Sequence, residues 1–325
     1  MLRPQPPDDR TDQPLAPEGD RFPVVGVGAS AGGLEAFTQL LTHLPADTGM
    51  AIVLVQHLDP TQGSLLSEIL ARTTPMPVQA IADGMAIAPN QVYVIPPNHL
   101  LTLEGGRLRL QPRVASQRIN KAIDRFFESL ARDRGDKAIG VVLSGGDSDG
   151  TLGLEAIKAA GGITFAQSEA SAQVRSMPHM AIATGQVDFV LPPEEIAATL
   201  ANLSRHPYVT SPVEEPPAPV DTVSEAETLA AIYALLKATS RVDFSQYKPT
   251  TLRRRILRRM ALHRIEEIDR YQQYLQETPA EVQALYQEIL ISVTSFFRDA
   301  GAFDSLKREV FPALLRDRQP VTPAD

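Results

Sequence analysis

Four uninterrupted apolar runs, separated by stretches with helical spacing, constrain the fold of the first two thirds of this chain. The runs are VVGVG at 24–28, AIVLVQ at 51–56, AIGVVLSG at 138–145 and ITFAQ at 163–167. Uninterrupted apolar strands are typical of parallel sheets that helices cover on both faces, because neither face of the strand meets water. The alternation of strands and helices therefore predicts an α/β fold with a doubly wound, mostly parallel sheet.

Two regions depart from this alternation. Residues 92–110, VYVIPPNHLLTLEGGRLRL, contain two alternating runs joined at Glu104–Arg107, which predicts a β-hairpin attached to the sheet. Beyond residue 224 the segments have helical spacing and few strand signals. We therefore expect a small all-α domain after the α/β domain.

Proline content indicates where the domains begin and end. Five prolines fall within residues 1–21, where apolar periodicity is almost absent, and five more fall within residues 206–224. The first segment is predicted to be a disordered leader and the second a semi-extended linker. The predicted organisation is a leader at 1–21, an α/β domain at 22–205, a linker at 206–224 and a helical domain at 225–325.

Composition excludes several classes of function. The chain has no cysteine, so it has no disulfide framework, no thiol nucleophile and no zinc site built on cysteines, and we predict no metal site. A formal net charge of −8 argues against a general nucleic-acid binder. No apolar run approaches the length of about 20 residues that spans a bilayer, so we expect no membrane insertion and a cytoplasmic location. Any catalysis is expected to use Ser, His, carboxylates or Lys.

The stretch VVGVGASAGG at 24–33 fits two different chemistries. Gly26–Ala31 matches the dinucleotide-binding pattern G-x-G-x-x-[GA], and Gly28–Gly32 matches the nucleophile elbow G-x-S-x-G. Dinucleotide binding also requires an acidic residue at the end of the second strand, where this chain has Gln56 and His57. The missing acidic residue weakens the interpretation as a dinucleotide-binding site. The local spacing of residues 24–33 alone does not decide between the two chemistries.

The nucleophile interpretation requires a base and an acid at other strand ends, since ligands bind at the carboxyl edge of open α/β sheets. His57 follows one strand, and Asp149 lies in the loop after another. In this interpretation the imidazole accepts the proton of Ser30, the carboxylate orients the imidazole, and glycines 28, 32 and 33 let the backbone turn and expose the serine.

Each candidate also has a structural alternative. Ser30 would serve as the N-cap of a helix at 31–43, and Asp149 as the cap of the helix TLGLEAIKAA that follows it. His57 would be a strand-end histidine with a satisfied hydrogen bond. The order Ser, His, Asp also differs from the order in α/β-hydrolases. Spacing alone leaves both sets of roles open.

The first domain resembles the catalytic domain of the chemotaxis protein-glutamate methylesterase, CheB. The resemblance rests on GVGASAGGLEAF at 26–37, VLVQHLDP at 53–60, DGMAIAPNQVYVIPPN at 83–98, VVLSGGDSDGTLGLEAIKAAGG at 141–162 and FAQSEASAQVRSMPHMAIATGQVDFVLP at 165–192. It implies a hydrolytic triad of Ser30, His57 and Asp149, with the backbone amides of Ala31 and Gly146 as oxyanion donors. It implies no cofactor for the esterase.

One departure from the family pattern concerns the loop of the acid. The family commonly has Gly-Met-Gly or Gly-Thr-Gly before x-Asp-Gly, whereas this chain has Gly145-Gly146-Asp147. A second carboxylate two residues from Asp149 is expected to raise the pKa of its neighbour by repulsion between like charges. Asp147 is also a rival for the orienting role.

The helical domain resembles the N-terminal domain of the methyltransferase CheR, which uses S-adenosylmethionine. The matching text is DFSQYKPTTLRRRILRRMALHRI, RYQQYLQ and ILISVTSFFRDAGAFDSLKREVFPALL. The family's donor-contacting motif Asn-x-Thr-x-Phe-Phe-Arg corresponds to Ser292, Thr294 and Arg298, with Ser in place of Asn. In CheR a donor-binding domain follows, whereas this sequence ends at Asp325. We expect S-adenosylmethionine to matter only if that domain is present, and no methyl transfer from this chain.

A run of basic residues lies in this second region. Between residues 245 and 264 there is no acidic residue, and seven positions are basic: Lys248, Arg253, Arg254, Arg255, Arg258, Arg259 and Arg264. The run fits either a solvated helix face or a surface that docks on acidic receptor helices. The resemblance to CheR implies docking, for which we single out Arg254, Arg255, Arg258 and Arg259.

The resemblances together imply a chemotaxis-like signalling enzyme. The expected reaction is hydrolysis of glutamyl γ-methyl esters on the cytoplasmic helices of methyl-accepting chemoreceptors, with deamidation of receptor glutamines as a second activity. CheB proteins usually carry a receiver domain gated by phosphorylation, and only a short segment precedes Phe22 here. We therefore expect either control by a separate response regulator or an ungated esterase. The alternative is a non-catalytic module that binds a receptor and retains an inactive hydrolase fold.

Overall fold

This computed structural model of the protein describes residues 22–56, 66–113, 121–210, 223–244 and 247–290, together with Arg308. The predicted leader at 1–21, His57 and the motif at 292–298 lie outside the described residues. Within the described part of the chain, no helix is both long enough and apolar enough to cross a membrane.

A seven-stranded sheet organises the first region. Its order is β10-β9-β8-β1-β2-β5-β3, and each neighbouring pair is parallel. The strands are β1 (Val24–Ala29), β2 (Ala51–Gln56), β3 (Val78–Ala80), β5 (Gln91–Val94), β8 (Ala138–Val142), β9 (Ile163–Gln167) and β10 (Phe189–Leu191). All four predicted strands are present, and the mostly parallel sheet is confirmed.

A separate antiparallel sheet contains the hairpin. It has the order β4-β7-β6 and consists of β4 (Met85–Ala86), β6 (His99–Glu104) and β7 (Arg107–Pro112). Gly105 and Gly106 form the turn with φ values of 57° and 72°. The hairpin is confirmed, but its attachment to the main sheet is wrong, because β7 pairs with β4. Residues 92–94, predicted as part of the hairpin, belong to β5 of the parallel sheet.

Helices cover both faces of the parallel sheet. On one face α1 (Gly33–His43) and α6 (Pro193–Leu203) pack on side chains such as Val25 and Val27. On the other face α3 (Ala122–Arg134), α4 (Thr151–Ala159) and α5 (Ser176–Ala183) share a second apolar cluster with Val24 and Val53. The short helix α2 (Leu66–Leu70) contacts β3. Burial of both faces explains why these strands are uninterrupted apolar runs.

Two glycines in β1 allow α3 to lie close to the sheet. A Cβ atom on Gly28 would be 2.4 Å from Cγ2 of Ile123, and one on Gly26 would be 2.9 Å from the rings of Phe126 and Phe127. The prediction that Gly28 serves the backbone turn is therefore wrong: it lies within the strand, and its missing side chain makes room for a helix.

The second region is helical, as predicted from spacing. It contains α8 (Val223–Ser240), α9 (Pro249–Leu262), α10 (Ile268–Glu277) and α11 (Pro279–Leu290). A short helix, α7 (Pro207–Thr210), occupies the start of the predicted linker, and its Tyr208 and Val209 are buried. The first residues of that segment are therefore packed rather than extended.

The chain divides into two compact units at Leu290. The sheet and the helices up to Ile289 belong to the same unit, and one apolar cluster extends from strand residues such as Val25 to residues of the last helices such as Ile289. The α/β and helical regions therefore share a core.

Arg258, in the middle of α9, joins the helical region to the sheet. Its side chain is fully buried and donates to the carboxylates of Asp188 at 2.7 Å and Glu288 at 2.8 Å. It also donates to the carbonyl of Gly162 at 2.9 Å. Burial alone would lower the pKa of Arg258, but the two carboxylates outweigh burial and raise it. The guanidinium is therefore a buried, charged connection between the two regions.

Three further polar contacts between the sheet and the helices that follow it lie at the same edge of the sheet. Tyr208 donates its hydroxyl to the carbonyl of Gly161, Arg254 pairs with Asp136, and the buried Lys137 donates to the carbonyl of Val209. Asp136 and Lys137 precede β8, Gly161 and Gly162 precede β9, and Asp188 precedes β10. The helical region is therefore attached at the amino edge of the sheet.

We predict that Arg258→Ala destabilises the protein by about 3–5 kcal/mol, because Asp188 and Glu288 would remain buried without their cation. Urea denaturation measures the free energy of unfolding. The control is Arg253→Ala on the same helix, since Arg253 and its partner Glu225 are 44% and 25% exposed and such pairs contribute at most about 1 kcal/mol. Equal losses in the two variants would contradict the prediction.

Candidate active site

Ser30 lies at the sharp turn between β1 and α1. Its backbone N–H donates to the carbonyl of Ser144 at 2.9 Å, and its carbonyl accepts from Gly33 at 2.9 Å. The helix begins at Gly33 with Gly32 as its N-cap, and no side chain caps it. The alternative in which Ser30 caps a helix at 31–43 is therefore wrong. The side chain of Ser30 is partly exposed at the carboxyl edge of the sheet.

The turn depends on Gly32. Its φ of 75° is in the left-handed region, and a Cβ atom there would be 2.6 Å from both Oγ of Ser144 and Oε1 of Gln173. No L side chain fits this position without both backbone strain and displacement of these neighbours. Gly32 thus has the role in exposing Ser30 that the sequence predicts.

The neighbouring strands end beside Ser30. Ala29 pairs with Gln56, the last residue of β2, and Leu143 after β8 donates to the carbonyl of Gly28. After β1 the chain forms β2 on one side of it, and it later forms β8 on the other side. The carboxyl ends of β1 and β8 therefore lie at the topological switch point, where α/β proteins bind ligands. His57 follows Gln56 directly and lies outside the described residues, so its role in the triad stays a prediction.

Asp149 is buried in the loop between β8 and α4, with 4% of its surface exposed. Its carboxylate accepts hydrogen bonds from the backbone amides of Ile123 and Asp124, both at 2.9 Å, in the first turn of α3. The alternative in which Asp149 caps α4 is therefore wrong. The amides of α4 are instead bonded by Asp124, whose Oδ1 accepts from Gly150 and Gly153 at 2.9 Å each.

Asp147, the rival of Asp149, is exposed. Its Oδ1 accepts the backbone N–H of Asp149 at 2.9 Å, so it shapes the loop that carries Asp149. The two aspartates thus differ in environment, and the buried one has the surroundings that an orienting acid of a triad requires.

The two predicted oxyanion amides belong to exposed residues. Ser30 directs its carbonyl to Gly33, with a second contact of 3.4 Å from Nε2 of Gln56. Because a trans peptide holds C=O and N–H on opposite sides, the N–H of Ala31 points the other way. In the described part of the chain neither the Ala31 amide nor the Gly146 amide donates to another protein group.

Two further residues hold this turn and were missed from the sequence. Ser144 is fully buried, and its hydroxyl lies 2.8 Å from the carbonyl of Ala31 and accepts the N–H of Val174 at 2.9 Å. Gln167, at the end of β9, accepts the N–H of Ser144 at 2.8 Å. Ser144 and Gln167 could have been noticed as polar residues at the ends of apolar strands. Their roles could not be predicted, because the residues that they bond are distant in sequence.

Comparisons with known proteins place the chain in a family. The family model described as CheB methylesterase matches residues 25–200, which is more than half of the chain.

The chain belongs to the CheB methylesterase family.

Two similar proteins carry activity names, and a solved structure shares the fold. Protein-glutamate methylesterase/protein-glutamine glutaminase 1 of Myxococcus xanthus is 38% identical over 59% of this chain and 56% of its own length. The corresponding enzyme 2 of Burkholderia lata is 39% identical over 59% of this chain and 57% of its own length. The crystal structure of the Thermotoga maritima CheB methylesterase catalytic domain has a TM-score of 0.53 and 30% identity, and covers 56% of this chain and 98% of that structure.

The helical region matches a second family model, described as the all-alpha domain of CheR methyltransferase, over residues 227–290. A 104.1 kDa protein from Rhodobacter capsulatus, named as uncharacterized, is 38% identical over 77% of this chain and 28% of its own length. The chain thus spans less than two thirds of the length of each of these three named relatives, from Rhodobacter capsulatus, Myxococcus xanthus and Burkholderia lata. The predicted donor contacts Ser292, Thr294 and Arg298 lie outside the described residues, and S-adenosylmethionine binding stays a prediction.

The four arginines singled out for receptor docking are engaged within the chain. Arg258 is fully buried, so its assignment to a docking surface is wrong. The side chains of Arg254, Arg255 and Arg259 are 20%, 13% and 16% exposed and pair with Asp136, Glu288 and Glu281. The alternative of a solvated face is equally wrong for Arg258. Docking through this set would require internal ion pairs to break.

Glu281 connects three side chains of the helical region. Its carboxylate accepts from Arg259 at 2.8 Å, from the hydroxyl of Tyr271 at 2.8 Å and from the ring of His263 at 2.7 Å. Burial would raise its pKa, but the hydrogen bonds from His263 and Arg259 outweigh burial and lower the pKa to about 2. The carboxylate therefore remains ionised in the folded chain over most of the acidic range.

We predict that Gly32→Ala destabilises the protein more than Gly49→Ala. Both glycines have positive φ, 75° and 70°, but a Cβ atom at Gly49 meets nothing within 4 Å. Backbone strain should cost about 1–2 kcal/mol at each site, and crowding at Gly32 should add about 1–3 kcal/mol. Urea denaturation of both variants measures the difference, and equal losses would contradict the crowding argument.

We predict that Glu281 makes the protein sensitive to acid. Its folded pKa, about 2, is below the ordinary value of 4.5, so its contribution to stability is complete above pH 4.5 and is lost as the pH falls towards 2. Glu281→Gln removes this titration, so the stability of the variant should fall less steeply over that interval. Urea midpoints measured from pH 5 to about pH 2.5 test this. Parallel curves for the variant and the parent protein would show that Glu281 does not supply the effect.

Proposed function

We propose that this chain hydrolyses glutamyl γ-methyl esters on the cytoplasmic helices of chemoreceptors, with Ser30 as nucleophile, His57 as base and Asp149 as orienting acid. The observation that carries the proposal is the turn at Ser30. It presents a serine at the switch point of a parallel sheet, beside a loop with a buried aspartate and next to two amides that have no partner among the described residues. The names of the methylesterase relatives supply the substrate class.

The proposed reaction has two stages. Oγ of Ser30 attacks the ester carbonyl while His57 accepts the hydroxyl proton, and the amides of Ala31 and Gly146 stabilise the oxyanion. Collapse of the intermediate breaks the bond to methoxide, which leaves as methanol with the proton from His57. Water activated by the same histidine then cleaves the acyl-enzyme, which regenerates Ser30 and yields the glutamate carboxylate.

This chemistry requires neither a metal nor an organic cofactor. The same attack on a glutamine side chain would release ammonia, so deamidation of receptor glutamines fits the site and the double names of the relatives. A separate response regulator remains a proposed partner.

We predict that Ser30→Ala lowers kcat for methanol release from a methylated receptor fragment by at least about 1,000-fold, since loss of a triad nucleophile removes the covalent route. Ser204→Ala, the same change at the end of α6, is the control and should retain the parent rate. Residual turnover of the Ser30 variant within about tenfold of the parent would contradict the assignment of the nucleophile.

A fluorophosphonate probe tests the nucleophile independently of the substrate. Labelling of the parent protein at Ser30, and none of the Ser30→Ala variant, is the expected result. If the parent protein is neither labelled nor active on the ester, the alternative of a non-catalytic receptor-binding module is favoured.

A further inference from the structure

Asp124 and Asp149 form a reciprocal arrangement at the starts of two helices. Asp149, in the loop before α4, accepts two backbone amides from the first turn of α3, both at 2.9 Å. Asp124, in the first turn of α3, accepts the amides of Gly150 and Gly153 at the start of α4, also at 2.9 Å. Each helix thus supplies the acceptor for the N-terminal amides of the other.

Both carboxylates are buried, with exposures of 3% for Asp124 and 4% for Asp149. Burial raises the pKa of Asp124, and the charge of Asp149 adds to this effect, while the amides of Gly153 and Gly150 oppose it. Two buried carboxylates are thus held close together by the backbone amides at the starts of two helices, and Nζ of Lys121 lies 3.6 Å from Oδ2 of Asp124. The position of one carboxylate depends on the position of the other.

We propose that Asp124 is a positioning residue of the active site, which holds the loop of Asp149 by fixing α4 against α3. This inference rests on the proposed function. Gly150, which directly follows Asp149, has a φ of 96° and lies against Ile123, since a Cβ atom there would be 2.9 Å from Cγ2 of Ile123. The hydrogen bond from Gly150 to Asp124 therefore restricts the backbone of the loop that carries Asp149. Loss of this bond should let that loop move.

Two substitutions separate positioning from charge. Asp124→Ala removes the acceptor for Gly150 and Gly153, so the loop of Asp149 should shift. Asp124→Asn retains an Oδ1 that accepts both amides but removes the negative charge. If Asp124 acts through geometry, the asparagine variant should rescue the function that the alanine variant loses.

Asp133, in the last turn of the same helix, provides a matched control. Its Oδ2 accepts the amide of Gly106 in the hairpin turn at 3.2 Å, and its side chain is 7% exposed. Asp133→Ala therefore also removes a buried carboxylate from α3 and frees a backbone amide. It does so at the opposite end of the helix from Asp149.

The experiment measures kcat and KM for the methylated receptor fragment, and the rate of fluorophosphonate labelling of Ser30, in the full chain. For Asp124→Ala we expect kcat and the labelling rate to fall about 10- to 100-fold with KM little changed, because a small misplacement of a catalytic group has effects of this size. Asp124→Asn should stay within about threefold of the parent protein, and Asp133→Ala should match the parent. Thermal melts establish a temperature at which all variants are folded.

Three outcomes would overturn the inference in different ways. In the first, the parent protein is labelled and active, and Asp124→Ala has the same kcat and labelling rate as the parent or as Asp133→Ala. Asp124 then has no positioning role, and the proposed function stands. A parent protein that is neither labelled nor active overturns the proposed function, and the inference with it. If Asp124→Asn is as impaired as Asp124→Ala, the charge rather than the hydrogen-bond geometry of Asp124 matters, and the inference is wrong as stated.

Discussion

The common direction of the seven strands determines where the candidate site lies and where the helical region is attached. In a parallel sheet all carboxyl ends meet at one edge and all amino ends at the other. Ser30 follows β1, Gln56 ends β2 and the loop 144–150 follows β8, so all three lie at the carboxyl edge. Asp136, Gly161 and Asp188 precede β8, β9 and β10, and they receive the helical region. The proposed chemistry and the attachment of the helices therefore occupy opposite edges of the sheet.

Buried charges at the two edges are stabilised by different means. At the carboxyl edge, backbone amides at the starts of α3 and α4 bind Asp149 and Asp124, so the positive ends of helices compensate the negative charges. At the amino edge a fully buried cation, Arg258, is compensated by Asp188 and Glu288. The first arrangement holds the two carboxylates through backbone amides. The second places full charges in contact with one another, which suits attachment rather than catalysis.

The parts of this structure that could be predicted from sequence are those set by local pattern. Uninterrupted apolar runs predicted the parallel strands, and the glycine-rich turn predicted the exposed Ser30. The roles of Asp149 and Arg258 depend on partners that are distant in sequence, such as Ile123 and Asp188. A short range of sequence shows that an aspartate precedes a helix, but not which helix it caps. The catalytic role of His57 stays a prediction, because it rests on the family resemblance.

The arginines of α9 show why a local run of charge does not establish a free surface. No acid occurs between residues 245 and 264, yet four arginines of the run pair with carboxylates from elsewhere in the chain: Glu281 and Glu288 of α11, and Asp136 and Asp188 just before β8 and β10. An acidic receptor helix would have to displace these carboxylates, several of which are buried, and would leave them without a cation. Recognition of the substrate is therefore expected to depend on residues around Ser30 at the carboxyl edge, where the amides of Ala31 and Gly146 have no partner in the described chain.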